Sequence, residues 1–180
     1  MSSEIMSLEM DVFCLLLLIR ILYQMYINRE QNDHWNYFYY TIAWACVYLF
    51  MDAIWIMNVK HLLTFSKIQS GIFNSFYFCS LAMLVCSWYV YVQKTLHSAV
   101  LKHKKILVLT FIPLIFFIGS SLLSYWTHGL FVIDQAGNYH RGKLLPFYFL
   151  ILFAYILYLS IKAGYLSKKA KNYLYQKEYK

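Results

Sequence analysis

The sequence predicts an all-α membrane protein, a polytopic transmembrane helical bundle of about five spans with a short extracellular β-hairpin-like loop. Two observations support this fold class. Hydrophobic residues make up 61% of the 180 residues and charged residues only 13%, whereas soluble domains have about 45–50% apolar and about 25% charged residues. The hydrophobic residues also gather into runs of about 20, the length of helix that crosses a bilayer. We therefore expect one transmembrane domain, residues 1–180, in the cell membrane, with the lipid bilayer as a partner.

Five apolar runs are long enough to span the membrane as helices. They cover residues 10–28, 37–59, 71–93, 106–126 and 145–166. The first run is not expected to be a cleaved signal peptide, because Glu4, Glu9 and Asp11 stand where a signal peptide carries basic residues.

The distribution of lysine predicts the orientation of the bundle. Lysines are concentrated in the loop between the third and fourth runs and after the fifth run: Lys94, Lys102, Lys104, Lys105, Lys168, Lys169, Lys171, Lys177 and Lys180. Five spans put these two segments on one side, and basic loops stay in the cytoplasm. We therefore expect the amino terminus outside, a carboxyl-terminal cytoplasmic tail over residues 167–180, and an outer loop over residues 127–144.

The outer loop contains a polar stretch, FVIDQAGNYHRGK, between two apolar runs. Its first residues are apolar and β-prone, and its centre combines Asp134, Gly137 and Asn138, which are typical turn residues. Tyr139 and His140 can begin a returning strand, so the stretch predicts a hairpin. Either this loop is a plain connector, or it is an ordered extracellular cap that senses a ligand. In the second case the candidate residues are Asp134, Gly137, Tyr139, His140 and Arg141.

The segment DQAGNYHRG, residues 134–142, lies between two spans and resembles the outer loop of a bacterial family. These are the multi-pass transmembrane sensor regions of diguanylate cyclases, the GGDEF proteins. The resemblance implies a signal-sensing module that responds to a small extracellular ligand. In that family the chain usually continues into a cytoplasmic cyclase domain. This sequence contains no GGDEF segment, so we expect a sensor fragment, a truncated form or a relative without an output domain, and no enzymatic activity for this chain.

Two other functional classes remain open for such a bundle. One is a small membrane transporter or a transport-accessory subunit, which inverted repeats or broken helices would favour. Only Pro113 interrupts a span, and five spans do not divide into two inverted halves. The other is a structural membrane partner without a ligand. A second copy of the chain is a candidate partner in a homodimer.

Two charged residues lie within the expected spans, Arg20 in the first and Asp52 in the second. A charge within the bilayer is costly and usually pairs or faces a cavity. Counted from the outer ends of the two runs, the residues differ in depth by roughly 4–5 Å at about 1.5 Å per residue, which the arginine side chain can bridge. They are an ion-pair candidate. The alternatives are a direct role in ligand binding or signalling, or no pairing, with Arg20 reaching towards the headgroups.

Catalytic, metal and nucleic-acid sites are not expected. An aspartyl enzyme needs two carboxylates in one site, but only Asp52 is in the middle of a span, since Asp11 is near a span end. The histidines are scattered over loops and span ends, and the cysteines form no C-x-x-C motif, so we predict no metal or cofactor. The basic loops belong to no soluble module that could bind nucleic acid.

Overall fold

The computed structural model describes residues 3–27, 33–59, 62–63, 65–95, 104–135 and 139–178. These residues form five helices and one small antiparallel sheet. The helices are α1 (Ser3–Ile27), α2 (Asp33–Val59), α3 (Lys67–Thr95), α4 (Lys104–Thr127) and α5 (Leu145–Glu178). Between α4 and α5 lie the strands β1 (Phe131–Ile133) and β2 (Tyr139–Arg141). The predicted fold class, an all-α bundle with a hairpin, is confirmed.

Four of the helices contain segments that are long and apolar enough to cross a membrane. These segments are Leu8–Ile27, Asn36–Asn58, Lys67–Thr95 and Leu145–Lys162. The predicted fourth span lies on α4, where the apolar segment Phe111–Thr127 is shorter. The surfaces of these helices suit a lipid environment: Leu16, Phe147 and Leu150 are each more than 60% exposed.

Two helices extend beyond the predicted apolar runs. Helix α1 begins at Ser3, seven residues before the apolar run. Helix α5 continues past Leu166 to Glu178. The sequence from Ser167 to Glu178 contains neither proline nor glycine, so nothing in it ends the helix.

Helix α3 is the centre of the bundle. It packs against α2, α4, α5 and β1, and its buried residues include Phe78, Ala82 and Tyr89. Helix α1 is at the edge, where it packs against α2 and no residue of its apolar segment is buried. The main hydrophobic core therefore forms between α3, α4, α5 and the hairpin, with Phe131 and Tyr148 among its members.

Local hydrogen bonds define the start of α3 and the end of α4. At the start of α3, Ser66 and Gln69 form a reciprocal capping box, in which the Ser66 N–H donates to Gln69 Oε1 at 3.0 Å. At the end of α4, His128 adopts a left-handed conformation with φ of 56° and its N–H donates to the Ser124 carbonyl at 2.8 Å. This turn ends α4 and directs the chain back over the bundle.

Candidate functional site

The hairpin β1–β2 forms a cap on one end of the bundle. Its strands pair in an antiparallel register in which Phe131 is opposite Arg141 and Ile133 is opposite Tyr139. Leu130 and Phe131 are fully buried and Ile133 is 4% exposed. The cap is therefore packed onto the helices and is not a free connector, as the ordered-cap alternative predicted.

Helix α4 and the backbone after β2 hold the cap in place. The Ser124 hydroxyl accepts hydrogen bonds from the N–H groups of Leu130 at 2.8 Å and Phe131 at 3.0 Å. The Gly142 N–H donates to the Leu130 carbonyl at 2.9 Å. A Cβ atom at Gly142 would overlap the Gly129 carbonyl oxygen and the Leu130 backbone. Only glycine therefore allows the two chain segments to approach this closely.

The buried side of the cap makes ring contacts with two helices. Phe131 stacks on Phe78 of α3, with ring centroids 6.0 Å apart and an interplanar angle of 14°. Tyr139 meets Trp55 of α2 edge to face, with centroids 5.8 Å apart. Tyr148, in the first turn of α5, donates a hydrogen bond from its hydroxyl to the Phe78 carbonyl. The cap, α2, α3 and the start of α5 thus form one packed unit.

The predicted site residues separate into inward and outward groups. His140 Nε2 lies 3.3 Å from Asp134 Oδ2 on the outer side of the hairpin, and Arg141 is exposed. Tyr139 is directed inward onto Trp55, and burial raises the pKa of its hydroxyl, although nearby Arg141 acts in the opposite direction. Gly137 lies outside the described residues. The structure therefore brings Asp134 and His140 together but separates both from Tyr139.

A continuous series of aromatic rings extends from the cap into the bundle. Trp55 contacts Tyr139 on one side and stacks on Tyr77 of α3 on the other, with centroids 6.3 Å apart and an interplanar angle of 17°. Tyr77 in turn contacts Tyr48 of α2, with centroids 5.4 Å apart and hydroxyl oxygens 3.3 Å apart. The series ends at the hydroxyl groups of Tyr77 and Tyr48, for both of which Asp52 of α2 is a charged neighbour.

Two carboxyl groups meet beside these hydroxyls. Asp11 on α1 and the Tyr77 hydroxyl on α3 are the groups that act most strongly on the Asp52 carboxyl. Asp11 Oδ2 is shielded from solvent and has no hydrogen-bond partner among the described residues. The sequence placed Asp11 near the end of a span, and it is indeed the fourth residue of the apolar segment Leu8–Ile27. What the sequence did not show is that helix α1 begins earlier, at Ser3, and that Asp11 acts on the Asp52 carboxyl of α2.

The candidate ion pair between Arg20 and Asp52 is absent among the described residues, as the no-pairing alternative has it. Arg20 is exposed on α1, and Asp52 faces Asp11 instead. The depth comparison failed because it started from the apolar runs and not from the helix ends. Arg20 is 17 positions after Ser3, whereas Asp52 is seven positions before Val59. At about 1.5 Å per residue, the difference of ten positions is roughly 15 Å, which is too far for a direct contact.

Two further buried polar side chains lie in the first part of α3, and sequence reasoning did not find them. Ser70 and Asn74 are 1% and 2% exposed. The Asn74 Nδ2 group donates to the Ser70 carbonyl at 2.7 Å, whereas Asn74 Oδ1 and Ser70 Oγ have no partner among the described residues. Their spacing from Tyr77, at positions i, i+4 and i+7 of one helix side, was the signal that could have found them.

The other described residues offer fewer groups that could bind a ligand or a metal ion. They contain no group of three or more His, Cys, Asp or Glu side chains that could hold a metal ion. The four cysteines are free thiols within the helices. At the end of the bundle opposite the cap, Lys162 of α5 donates to Gln93 Oε1 of α3 at 2.6 Å, which joins these two helices there.

Comparisons with known proteins provide no relative for this chain: no family model, no curated protein and no solved structure matches it.

Proposed function

We propose that this chain is a transmembrane signal-sensing module of a bacterial signalling protein, in which the capped end receives the signal and α5 transmits it. One observation supports this most directly: the cap leads into α5 without a flexible segment, since β2 ends at Arg141 and α5 begins at Leu145. Helix α5 has 34 residues. At about 1.5 Å per residue it is roughly 50 Å long, longer than the ~30 Å hydrocarbon core of a bilayer.

Two contacts along α5 give a route for the signal. Near the cap, Tyr148 is bonded to the Phe78 carbonyl of α3. About halfway along α5, Lys162 is bonded to Gln93 near the end of α3. A movement of the cap relative to α3 therefore pulls on α5 at Tyr148. Because an α-helix is stiff, the movement reaches the contact between Lys162 and Gln93.

The proposal includes the orientation and the class of output. The capped end is outside the cell and the carboxyl end of α5 is in the cytoplasm, as the lysine distribution favours. The segment 134–142, which resembles the outer loop of diguanylate cyclase sensor regions, includes β2 and the turn of the cap. A cyclase-type output controlled by α5 agrees with that resemblance.

A distance measurement between α3 and α5 tests whether the cap is coupled to the region of α5 around Lys162. Thr95 and Gly164 each lie two positions beyond the bonded residues Gln93 and Lys162, and a side chain at Gly164 meets no atom within 4 Å. Spin labels on Thr95→Cys and Gly164→Cys, with the native cysteines replaced by alanine, report the separation of α3 and α5 in lipid nanodiscs by pulsed electron resonance.

The informative change is Tyr139→Ala, because it removes the ring that contacts Trp55. We expect the distance between the two labels to shift by at least about 1–2 Å, a usual amplitude for helix displacements. His140→Ala is the matched control, since His140 is on the same strand with an exposed side chain and should leave the distance unchanged. An identical distance in the wild type and in Tyr139→Ala would contradict the sensing proposal.

A further inference from the structure

We propose that the lipid-facing side of α1 binds a transmembrane helix of another membrane protein, and that this partner helix carries an Asp or Glu side chain at the depth of Arg20. Such an interaction does not depend on the sensing function. It is also independent of the orientation of the bundle, because a residue has the same depth in the bilayer in both orientations.

Arg20 points away from the rest of the bundle. Helix α1 packs against α2, and no residue of its apolar segment Leu8–Ile27 is buried. Leu18 and Leu22 are partly buried on the packed side. Each is two positions from Arg20, which is about 200° around a helix of about 3.6 residues per turn. Arg20 therefore lies on the opposite side, where its side chain is exposed and has no ion-pair partner among the described residues.

The surroundings of Arg20 on this side are apolar. Residues three, four and seven positions away share one side of a helix. Here the hydrophobic ones are Phe13, Leu16, Leu17, Tyr23 and Ile27, which are each between 47% and 64% exposed. A charged residue within a span almost always pairs or faces the interior of a bundle. Since Arg20 does neither within the described chain, its partner has to come from outside.

The position of Arg20 makes contact with the headgroups unfavourable. Within Leu8–Ile27 it is 12 positions after the first residue and seven before the last, roughly 18 Å and 10 Å at about 1.5 Å per residue. Helical side chains lean towards the amino end, which here is the farther end, well beyond the length of an arginine. Long basic side chains reach the interface mainly from helix ends. A partner at the same depth therefore stabilises this charge better.

The chemistry of the partner follows from the guanidinium group. Its planar N–H groups match a carboxylate with two parallel hydrogen bonds, so an Asp or Glu neutralises the charge and accepts these bonds. Gln24, one turn further along the same side, is also exposed, and side-chain amides form hydrogen bonds between membrane helices. The exposed hydrophobic side chains around Arg20 pack against the remainder of the partner helix.

A second copy of the chain does not supply this carboxylate. The acidic residues within the apolar segments are Glu9, Asp11 and Asp52. Glu9 and Asp11 precede Arg20 by roughly 16 Å and 14 Å along α1, and Asp52 differs from it in depth by roughly 15 Å. Copies inserted in the same direction keep these differences. A symmetric pair through α1 would bring Arg20 beside a second Arg20, so the partner is a different protein.

Energy transfer in phosphatidylcholine vesicles tests this assignment with defined helices. The probe is a synthetic peptide of about 20 leucines with one central Asp, which is within about 4 Å of the depth of Arg20 in either direction of insertion. The controls are the peptide without Asp and one with Asp two turns nearer an end. The protein carries a donor dye on Thr95→Cys, with its native cysteines replaced by alanine, and the peptides carry the acceptor.

We expect the central-Asp peptide to associate roughly 5–30-fold more strongly than either control peptide. Arg20→Leu should reduce its association to the level of the leucine peptide. Arg141→Gln is the matched control, since it lowers the net charge equally at an exposed position of the cap and should retain the association. The melting temperature of each variant shows whether it is folded, and Arg20→Gln replaces Arg20→Leu if that variant is not.

Three results would overturn the assignment. The first is equal association of the central-Asp peptide and either control peptide, and the second is undiminished association with a folded Arg20 variant. The third is energy transfer between donor- and acceptor-labelled copies of the protein that is lost in Arg20→Leu, because it would identify a second copy as the occupant of this surface. None of these results bears on the label-distance experiment, which follows α3 and α5 and not α1.

Discussion

Gly142 is a position of the cap at which the structure leaves no room for a side chain. A methyl group there would overlap the Gly129 carbonyl oxygen and the backbone of Leu130, and these are backbone atoms that cannot rotate away. We predict that Gly142→Ala destabilises the folded protein by roughly 2 kcal/mol, as overpacking commonly does. The measurement is the change in the free energy of unfolding or the melting temperature in detergent.

The matched control for this substitution is Gly119→Ala in α4. A Cβ atom at Gly119 meets nothing within 4 Å, and alanine favours a helix over glycine by roughly 0.5–1 kcal/mol. We therefore expect Gly119→Ala to leave stability unchanged or slightly raised. Equal stability of Gly142→Ala and the wild type would show that the backbone contact between Gly142 and Gly129 is not close in the membrane.

Asp52 and Arg20 give the second prediction at this scale. Because Asp52 faces Asp11 and not Arg20, Asp52→Asn removes a like-charge contact and keeps a hydrogen-bonding group. We expect its melting temperature to be equal to or above that of the wild type. Arg20→Ala, at an exposed position, should be neutral.

A buried ion pair between these two residues would give a different pattern. Either single substitution would then leave an unmatched charge and lower the melting temperature, and replacing both with apolar residues would recover part of the loss. A thermodynamic cycle over Arg20→Ala, Asp52→Asn and the double variant distinguishes the two cases. Significant coupling in that cycle would contradict the separation of Arg20 from Asp52 in the structure.

At the residue scale, the sequence pointed to several residues of interest but did not show which residues they contact. Asp52 and Tyr139 were recognised because a charge within a span and a tyrosine beside a turn are unusual. The partner of Asp52 was missed because hydropathy locates apolar runs, whereas α1 starts seven positions earlier, at Ser3. Ser70 and Asn74 were missed because small polar residues change the mean hydropathy of a span very little.

At the scale of elements, the register of the cap predicts which amides exchange slowly with solvent. The Gly142 N–H bonds the Leu130 carbonyl, and hydrogen-bonded pairs alternate with non-bonded pairs along an antiparallel ladder. The next bonded pair is therefore Val132 with His140. We expect slow hydrogen exchange at the amides of Val132, His140 and Gly142.

The neighbouring amides provide the control within the same hairpin. Ile133 and Tyr139 form a non-bonded pair by this alternation, although the Ile133 side chain is buried, so their amides should exchange faster than those of Val132 and His140. Exchange of Val132 and His140 at the rate of a free peptide would show that the cap is not ordered.

The elements themselves were largely predictable from the sequence because a span has a strong signal. Each of the five predicted runs lies on one helix, and the turn residues of the outer loop correctly placed a hairpin between α4 and α5. Helix ends were less predictable. The extension of α5 to Glu178 depends on helix propensity beyond the apolar run, and hydropathy contains no information about that segment.

At the scale of the whole molecule, the packing order of the helices was beyond the reach of the sequence. Hydropathy does not show which helix lies at the centre of the bundle, whereas in the structure α3 is central and α1 is peripheral. The difference arises from small and polar residues of α3, such as Gly71, which lies directly against the Tyr125 ring of α4. Close approach at small residues is a main source of helix association in membranes, and it depends on the partner's shape.

The orientation of the bundle is a prediction for the whole molecule, and it can be tested with two single cysteines in a background in which the native cysteines are replaced by alanine. Gln135 is exposed at the turn of the cap, and Thr95 is exposed at the far end of α3. Lysine concentrates near Thr95 and after α5, and basic segments stay in the cytoplasm. A membrane-impermeant maleimide should therefore label Gln135→Cys in intact cells, whereas Thr95→Cys should react only after the membrane is permeabilised. Both sites are exposed, so a difference in labelling reports the side of the membrane and not burial. The opposite labelling pattern would place the cap in the cytoplasm. In that case α5 would transmit a signal from the cytoplasm to the outside, which would contradict the proposed direction of signalling.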